Sequence, residues 1–336
     1  MQKLSGTDLP APKGDSGKSD GMPGRRTALL VGATAGRILW EPEFTGDVIA
    51  VASKAAFVIS NHSLIVAFSR ADQQPHPRAV LSTLDLNALS VGMPVRVQGE
   101  EVLFGGGETL SLEPTRCWQR RPVGAGQGVS LVDASRGFGR ILSAALAMHE
   151  GENLGSALPA IAAGSASAGS NRLPPNASPL IAAAMEHVWR IVPVCRSGRL
   201  DLAMTYADNL IGLGPGLTPS GDDFVGGLLF AAYHLNEAFP GEFIWDGEAV
   251  VGLISRSRSM THPISHALLS DHAQGQSYEA IHDLMDGMLT GHGELDAVAL
   301  VTGVTSIGSS SGWDMLAGLL TAMLLVTRGI EPQEGW

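Results

Sequence analysis

The sequence predicts an α+β protein: a small N-terminal β module followed by a larger, mostly α-helical domain with two pseudo-repeated Gly/Ser loop–helix motifs. Three observations predict this. Short β-rich runs separated by Gly, Asn and charged residues fill the first third. Helical patterns fill nearly everything after residue 178. A ten-residue pattern, Ser220-Gly-Asp-Asp-Phe-Val-Gly-Gly-Leu-Leu229, returns 91 positions later as Ser311-Gly-Trp-Asp-Met-Leu-Ala-Gly-Leu-Leu320, identical at six of ten positions.

The first 26 residues are polar and rich in Gly, Pro and Ser, and are expected to form a disordered tail. Residues 27–115 form the expected β module. Its strand-like runs are Thr27–Val31, Gly46–Val51, Ala56–Ser60, Ser63–Phe68, Val95–Gln98 and Glu101–Phe104. Residues 116–330 form the expected helical domain. A helical region begins near Arg140, and a low-complexity stretch at 162–175 reads as a flexible loop. Helices are then predicted over 178–191, 199–211, 221–237, 247–259, 263–273, 277–289, 294–306 and 312–327.

The 336 residues carry a net charge of −11, which argues against nucleic acid or an anionic membrane as a partner. A small anionic substrate stays open, because a local donor cluster can overcome a global field. No signal peptide is visible, and the most apolar stretch, 315–326, is too short to span a bilayer. The two cysteines, Cys117 and Cys195, have no metal or disulfide spacing, so a cytoplasmic location is expected.

Each motif copy follows small, turn-forming residues: Gly212-Leu-Gly-Pro-Gly-Leu-Thr-Pro219 before the first and Gly308-Ser-Ser310 before the second. Both read as a tight loop feeding the first turn of a buried helix, where backbone N–H groups can grip an anion. Gly214, Gly216, Thr218, Ser220 and Gly221 of the first copy are therefore candidate substrate-binding residues. Gly308, Ser309, Ser310, Ser311, Gly312 and Asp314 are their counterparts in the second. The Ser-x-x-Asp spacing also fits a capping box, in which Ser220, Asp223, Ser311 and Asp314 merely start helices. Asp222 has Trp313 as its counterpart and stays unexplained by capping. Asp222 is accordingly the stronger catalytic candidate and Asp223 the second. The two acids would repel an anion unless they point away, a cation such as Mg²⁺ intervenes, or the ligand carries N–H donors. No other cofactor is expected, and no metal ligand is assigned.

Between the copies, Arg258 can balance an anionic substrate or belong to a solvated helix face, and Thr261 and Ser265, which flank a helix start, are further candidate substrate-binding residues. His262, His266 and His272 lie near one another in sequence, but no zinc-protease pattern joins them. Both cysteines read as structural thiols.

The run Leu210-Ile-Gly-Leu-Gly-Pro-Gly-Leu-Thr-Pro-Ser-Gly-Asp-Asp-Phe-Val-Gly-Gly-Leu-Leu229 closely resembles the signature of the AllH-like family. Thr261-x-x-x-Ser265 and the Gly308–Asp314 loop also look like family positions, and the likeness spans most of residues 27–328. The resemblance implies a subunit of an oxamate carbamoyltransferase in anaerobic allantoin degradation. It would work as a hetero-oligomer with other carbamoyltransferase subunits on oxamate or oxalurate and carbamoyl phosphate. The phosphate loop of the common aspartate and ornithine carbamoyltransferases is absent. Two other readings compete: a non-catalytic assembly subunit, and a phosphate-binding or phosphoryl-transfer protein. The missing lysine near the glycine loop counts against the last.

Overall fold

The computed structural model describes residues 26–113, 115–120, 128–148, 153–163, 173, 177–290 and 296–327. The tail expected over 1–26 lies outside these apart from Arg26, which begins the first strand. Most of the loop expected at 162–175 lies outside them too.

The β module contains β1 (Arg26–Gly32), helix α1 (Ala33–Leu39), β2 (Thr45–Val51), β3 (Ala55–Ser60), β4 (Ile65–Arg70), β5 (Ala79–Ser82), β6 (Pro94–Gln98), β7 (Glu101–Phe104), β8 (Thr109–Ser111) and β9 (Arg116–Trp118). The strand order is β5-β4-β3-β2-β6-β7-β8-β1-β9, and β5 also pairs with β1. The sheet thus closes on itself in barrel fashion, which removes exposed edges. One edge of β1 is shared: β8 pairs at Arg26–Thr27 and β9 at Leu30–Gly32.

The strands carry apolar residues on both faces, for two different partners. Ala56 and Val58 of β3 join Val48, Val66, Phe68, Val102 and Phe104 inside the barrel. Phe57 and Ile59, pointing the other way, join Ile264, Ala267 and Leu268 of the helical part, together with Leu217. Full burial of a large apolar side chain contributes about 1.5–3 kcal/mol, which Ile264 approaches, while the partly buried Phe57, Ile59, Leu217 and Leu268 contribute less each. This second face fixes the module against the helices.

The helical part comprises α2 (Leu131–Met148), α3 (Leu158–Ala162), α4 (Pro179–Arg196), α5 (Leu200–Ala207), α6 (Ser220–Ala238), α7 (Gly247–Met260), α8 (Pro263–His272), α9 (Glu279–Thr290), α10 (Ala297–Thr305) and α11 (Ser311–Met323). Helices α6 and α11 form the centre. Nearly every residue from Ser220 to Leu235 is buried, as is almost all of α11. A helix apolar all round belongs inside a core.

The two central helices touch backbone to backbone through glycine. A methyl group on Gly227 would collide with the Met315 carbonyl, and one on Gly318 with the Phe224 carbonyl. Each contact joins the eighth position of one ten-residue motif to the fifth of the other. Gly221 and Gly312, both second positions, pack against the carbonyls of Leu210 and Val304.

Candidate functional site

The loop before α6 turns sharply because Gly212, Gly214 and Gly216 all have positive φ, at 77°, 130° and 96°. It ends at Pro219, the residue immediately before α6. The loop before α11 turns at Gly308, with φ 65°. The two loops meet: Thr218 Oγ1 and Ser311 Oγ are 3.2 Å apart.

They open on a cavity of about 560 Å³ between the helical part and the β module. Gly216, Thr218, Ser220 and Asp223 line it from the first loop–helix start, and Gly308, Ser309, Ser310 and Ser311 from the second. Gly214, Gly221, Gly312, Asp222, Arg258, Thr261, Ser265 and Asp314 stand outside the lining. Arg258 is exposed on α7.

The expected helix-start grip differs from the structure. The first-turn N–H groups are already engaged: Gly221 donates to Leu213, and Asp222 and Asp223 donate to Pro219. In α11, Gly312 donates to Ile307, and Trp313 and Asp314 donate to Ser310. Neither helix start has a side-chain cap. The serines lie across the helix pair instead. Ser220 sits beside Asp314, and Ser311, with Thr218, sits beside Asp223, each near enough to favour the carboxylate form.

Asp222 faces away from the cavity. It accepts from the Gly212 N–H at 2.6 Å, from Ser265 Oγ at 2.5 Å and from Thr261 Oγ1. It ties the glycine loop to the start of α8, and that structural clasp accounts for Thr261 and Ser265 as well. Asp223 is the acid on the cavity, 7% exposed, and its Oδ2 has no hydrogen-bond partner among the described residues. Burial, then the neighbouring Asp314 and Asp222, push its carboxyl well above the usual range, toward the neutral acid. This removes much of the repulsion expected between paired acids and an anion. Asp314 is fully buried and pushed up to about 7, chiefly by burial. Its Oδ1 accepts from the Leu154 N–H at 2.7 Å.

The β module supplies groups that the sequence pattern missed. Lys54, in the β2–β3 turn, donates from Nζ to the Gly308 carbonyl at 3.2 Å and lines the cavity. Arg78 lines it too, in a paired bond to Asp271 at 2.6 and 2.8 Å. His76 and His272 are buried in the lining, with His76 Nε2 and His272 Nδ1 unpartnered among the described residues. Burial holds His272 down to about 4 and His76 well below its ordinary value, so both imidazoles are neutral. His76 Nδ1 accepts from the Arg78 N–H, which puts the ring proton on Nε2. His262 caps α8, and His266 bonds to Ser257 at 2.9 Å. No group of three metal-ligating side chains is found among the described residues. The only sequence signal for Lys54 was its place in a hairpin turn, and none pointed to His76 or Arg78.

Residues 210–323 match the family model described as oxamate carbamoyltransferase subunit AllH. This span, about a third of the chain, is similar to the AllH family. The match is narrower than the 27–328 likeness read from sequence. It contains both loop–helix starts and the Asp222 clasp, while Lys54, His76 and Arg78 lie outside it. Comparisons with curated proteins and with solved structures gave no match. No helix among the described residues is long and apolar enough to cross a membrane.

Proposed function

We propose that the chain is a subunit of an oxamate carbamoyltransferase, and that its two loop–helix motifs act as a pseudo-repeated pair around one substrate cavity. The AllH match supports the subunit reading. The single observation that carries the site is the convergence of Thr218 and Ser311 on a cavity lined by the buried acid Asp223 and by Lys54.

In carbamoyl transfer the oxamate nitrogen attacks the carbonyl carbon of carbamoyl phosphate. A C–N bond forms, the C–O bond to phosphate breaks, and phosphate leaves with the electron pair. The nitrogen then gives up a proton. In the reverse direction a phosphate oxygen attacks the ureido carbon, and the departing nitrogen must gain one. Asp223 gives this proton to the departing nitrogen from its acid form, which its raised pKa favours, and in the forward direction its carboxylate form takes the proton back. Thr218, Ser309, Ser310 and Ser311 hydrogen-bond the carbamoyl oxygen and the phosphate. Lys54 balances the anionic charge. Partner subunits complete the assembly in this reading, and purine-derived nitrogen is its metabolic setting. Mg²⁺ would have one cavity-lining carboxyl, Asp223, together with the substrate phosphate.

Phosphate release from carbamoyl phosphate and oxamate, by the chain assembled with its partner subunits, tests the reading. Lys54→Met should reduce kcat/KM at least about tenfold. Turnover unaffected by that change would remove Lys54 from the site. Absence of both turnover and ligand-induced stabilisation would end the reading. The lysine at the Gly308 loop also favours a second reading, a phosphate-binding subunit without transfer chemistry. That reading expects phosphate alone to raise the Tm and oxamate to have no effect.

A further inference from the structure

The two aspartates at the fourth motif position are in unequal surroundings. Asp314 is sealed from solvent, and its Oδ1 accepts the Leu154 backbone N–H at 2.7 Å, with the Gly155 N–H also nearby. Asp223 stands opposite Ser311 as Asp314 stands opposite Ser220, and each has an unpartnered Oδ2 among the described residues, but only side-chain hydroxyls, with no backbone amide, reach the Asp223 carboxyl. Asp223 lines the cavity instead, with Oδ2 itself buried in the wall.

We infer that Asp223 is the amide-recognition point of the cavity: a ligand amide or ureido group takes there the place that the Leu154–Gly155 backbone takes against Asp314. The protein's own peptide at the second motif shows the chemistry that a carboxyl in this setting accepts. A buried polar atom left without a partner is destabilising, so a ligand that supplies the missing partner gains affinity from that contact.

The match extends to both atoms of the pair. A neutral carboxyl has one O–H donor and one carbonyl acceptor, and a primary amide has the complementary C=O and N–H in the same plane. A carboxylate in the amide's place has no N–H to give. The neighbouring His76 and His272 are uncharged and offer a carboxylate no counter-charge. The subsite therefore selects the amide end of its substrate, leaving the anionic end to Lys54.

This inference rests on the carbamoyl-transfer reading for its probe, oxamate, which carries one amide and one carboxylate. Calorimetric titration of the full chain compares oxamate with oxalate, in which a second carboxylate replaces the amide. Oxamate should bind at least about tenfold tighter. Asp223→Asn keeps one donor and one acceptor and should retain the preference while losing turnover. Asp223→Leu should abolish it. Equal affinity for the two ligands in the unaltered chain overturns the inference, even if Asp223→Leu fails to fold. So does an intact preference in a folded Asp223→Leu variant, and either result leaves carbamoyl transfer standing if oxamate still binds. Failure of the unaltered chain to bind either oxamate or carbamoyl phosphate removes both.

Discussion

Asp314 carries a cost that varies with pH. Its carboxyl is pushed from 3.8 to about 7 on folding, first by burial, against the opposing pull of Ser220 and the Leu154 and Gly155 N–H groups. The folded chain therefore holds a proton that the unfolded chain has released across that window. The contribution of Asp314 to stability falls as pH rises from 3.8 to about 7, because at this site the native state binds more protons there. Asp314→Asn keeps an acceptor for the Leu154 N–H and removes the titration. Denaturant midpoints measured across the same window should decline less steeply in the variant. An unchanged slope would mean that Asp314 ionises in the fold as it does in water. Asp222 shows what residue-level reading missed. Its lack of a counterpart in the second motif suggested chemistry, but the extra carboxylate gathers three donors that the second loop has no need to hold. Partners up to 43 residues away decided its role, and no spacing rule reaches that far.

At the scale of elements, α6 and α11 depend on glycine at their crossing. Gly227 and Gly318 let each backbone lie against a carbonyl of the other helix, so Gly227→Ala forces the core apart where nothing flexible can yield. The expected cost is about 3 kcal/mol or more. Gly252→Ala is the control. The nearest atom to a methyl there is the mobile end of Arg256, 3.1 Å away, and alanine is the better helix former. Gly252→Ala should be neutral or stabilising in urea unfolding. Gly227→Ala as stable as Gly252→Ala would show that the close approach at the crossing does not govern the pair. The eight helices expected after residue 178 were legible because amphipathic periodicity and Pro or Asp starts are local, as at Ser178-Pro179 and Asp246. Helix α1 was not legible, since its seven residues directly continue a strand with no break in composition. Closure of the sheet was equally hidden. It depends on β1 meeting β5, about fifty positions later, with a register irregularity between Ala28 and Leu30.

Across the whole molecule, the cavity exists only while the β module is held against the helices, so the fastening has functional weight. Arg78 reaches from the module to Asp271 on α8, with side chains 11% and 7% exposed, and also donates to the Ile65 carbonyl. Gln74 donates to the Gly303 carbonyl, and Arg120 pairs with Asp283 and Asp286 at 2.6 and 2.8 Å on the far side. Of these arginine pairs, Arg78–Asp271 is the more deeply buried. Two charges removed from water are tolerated there because each satisfies the other with two hydrogen bonds. Asp271→Ala should cost about 3–5 kcal/mol by stranding the guanidinium, whereas a joint Arg78→Met, Asp271→Leu replacement should recover most of it. A second signature follows from where the pair sits. If the helical part and the module unfold together because this contact couples them, calorimetry should show one transition in the unaltered chain and two in Asp271→Ala. The joint variant should return to a single transition, since apolar side chains of similar size extend the Phe57–Ile264–Leu268 contact beside them. A single, merely lowered transition in Asp271→Ala would instead place the coupling in that apolar contact. Ligand-induced stabilisation would then survive the loss of the ion pair.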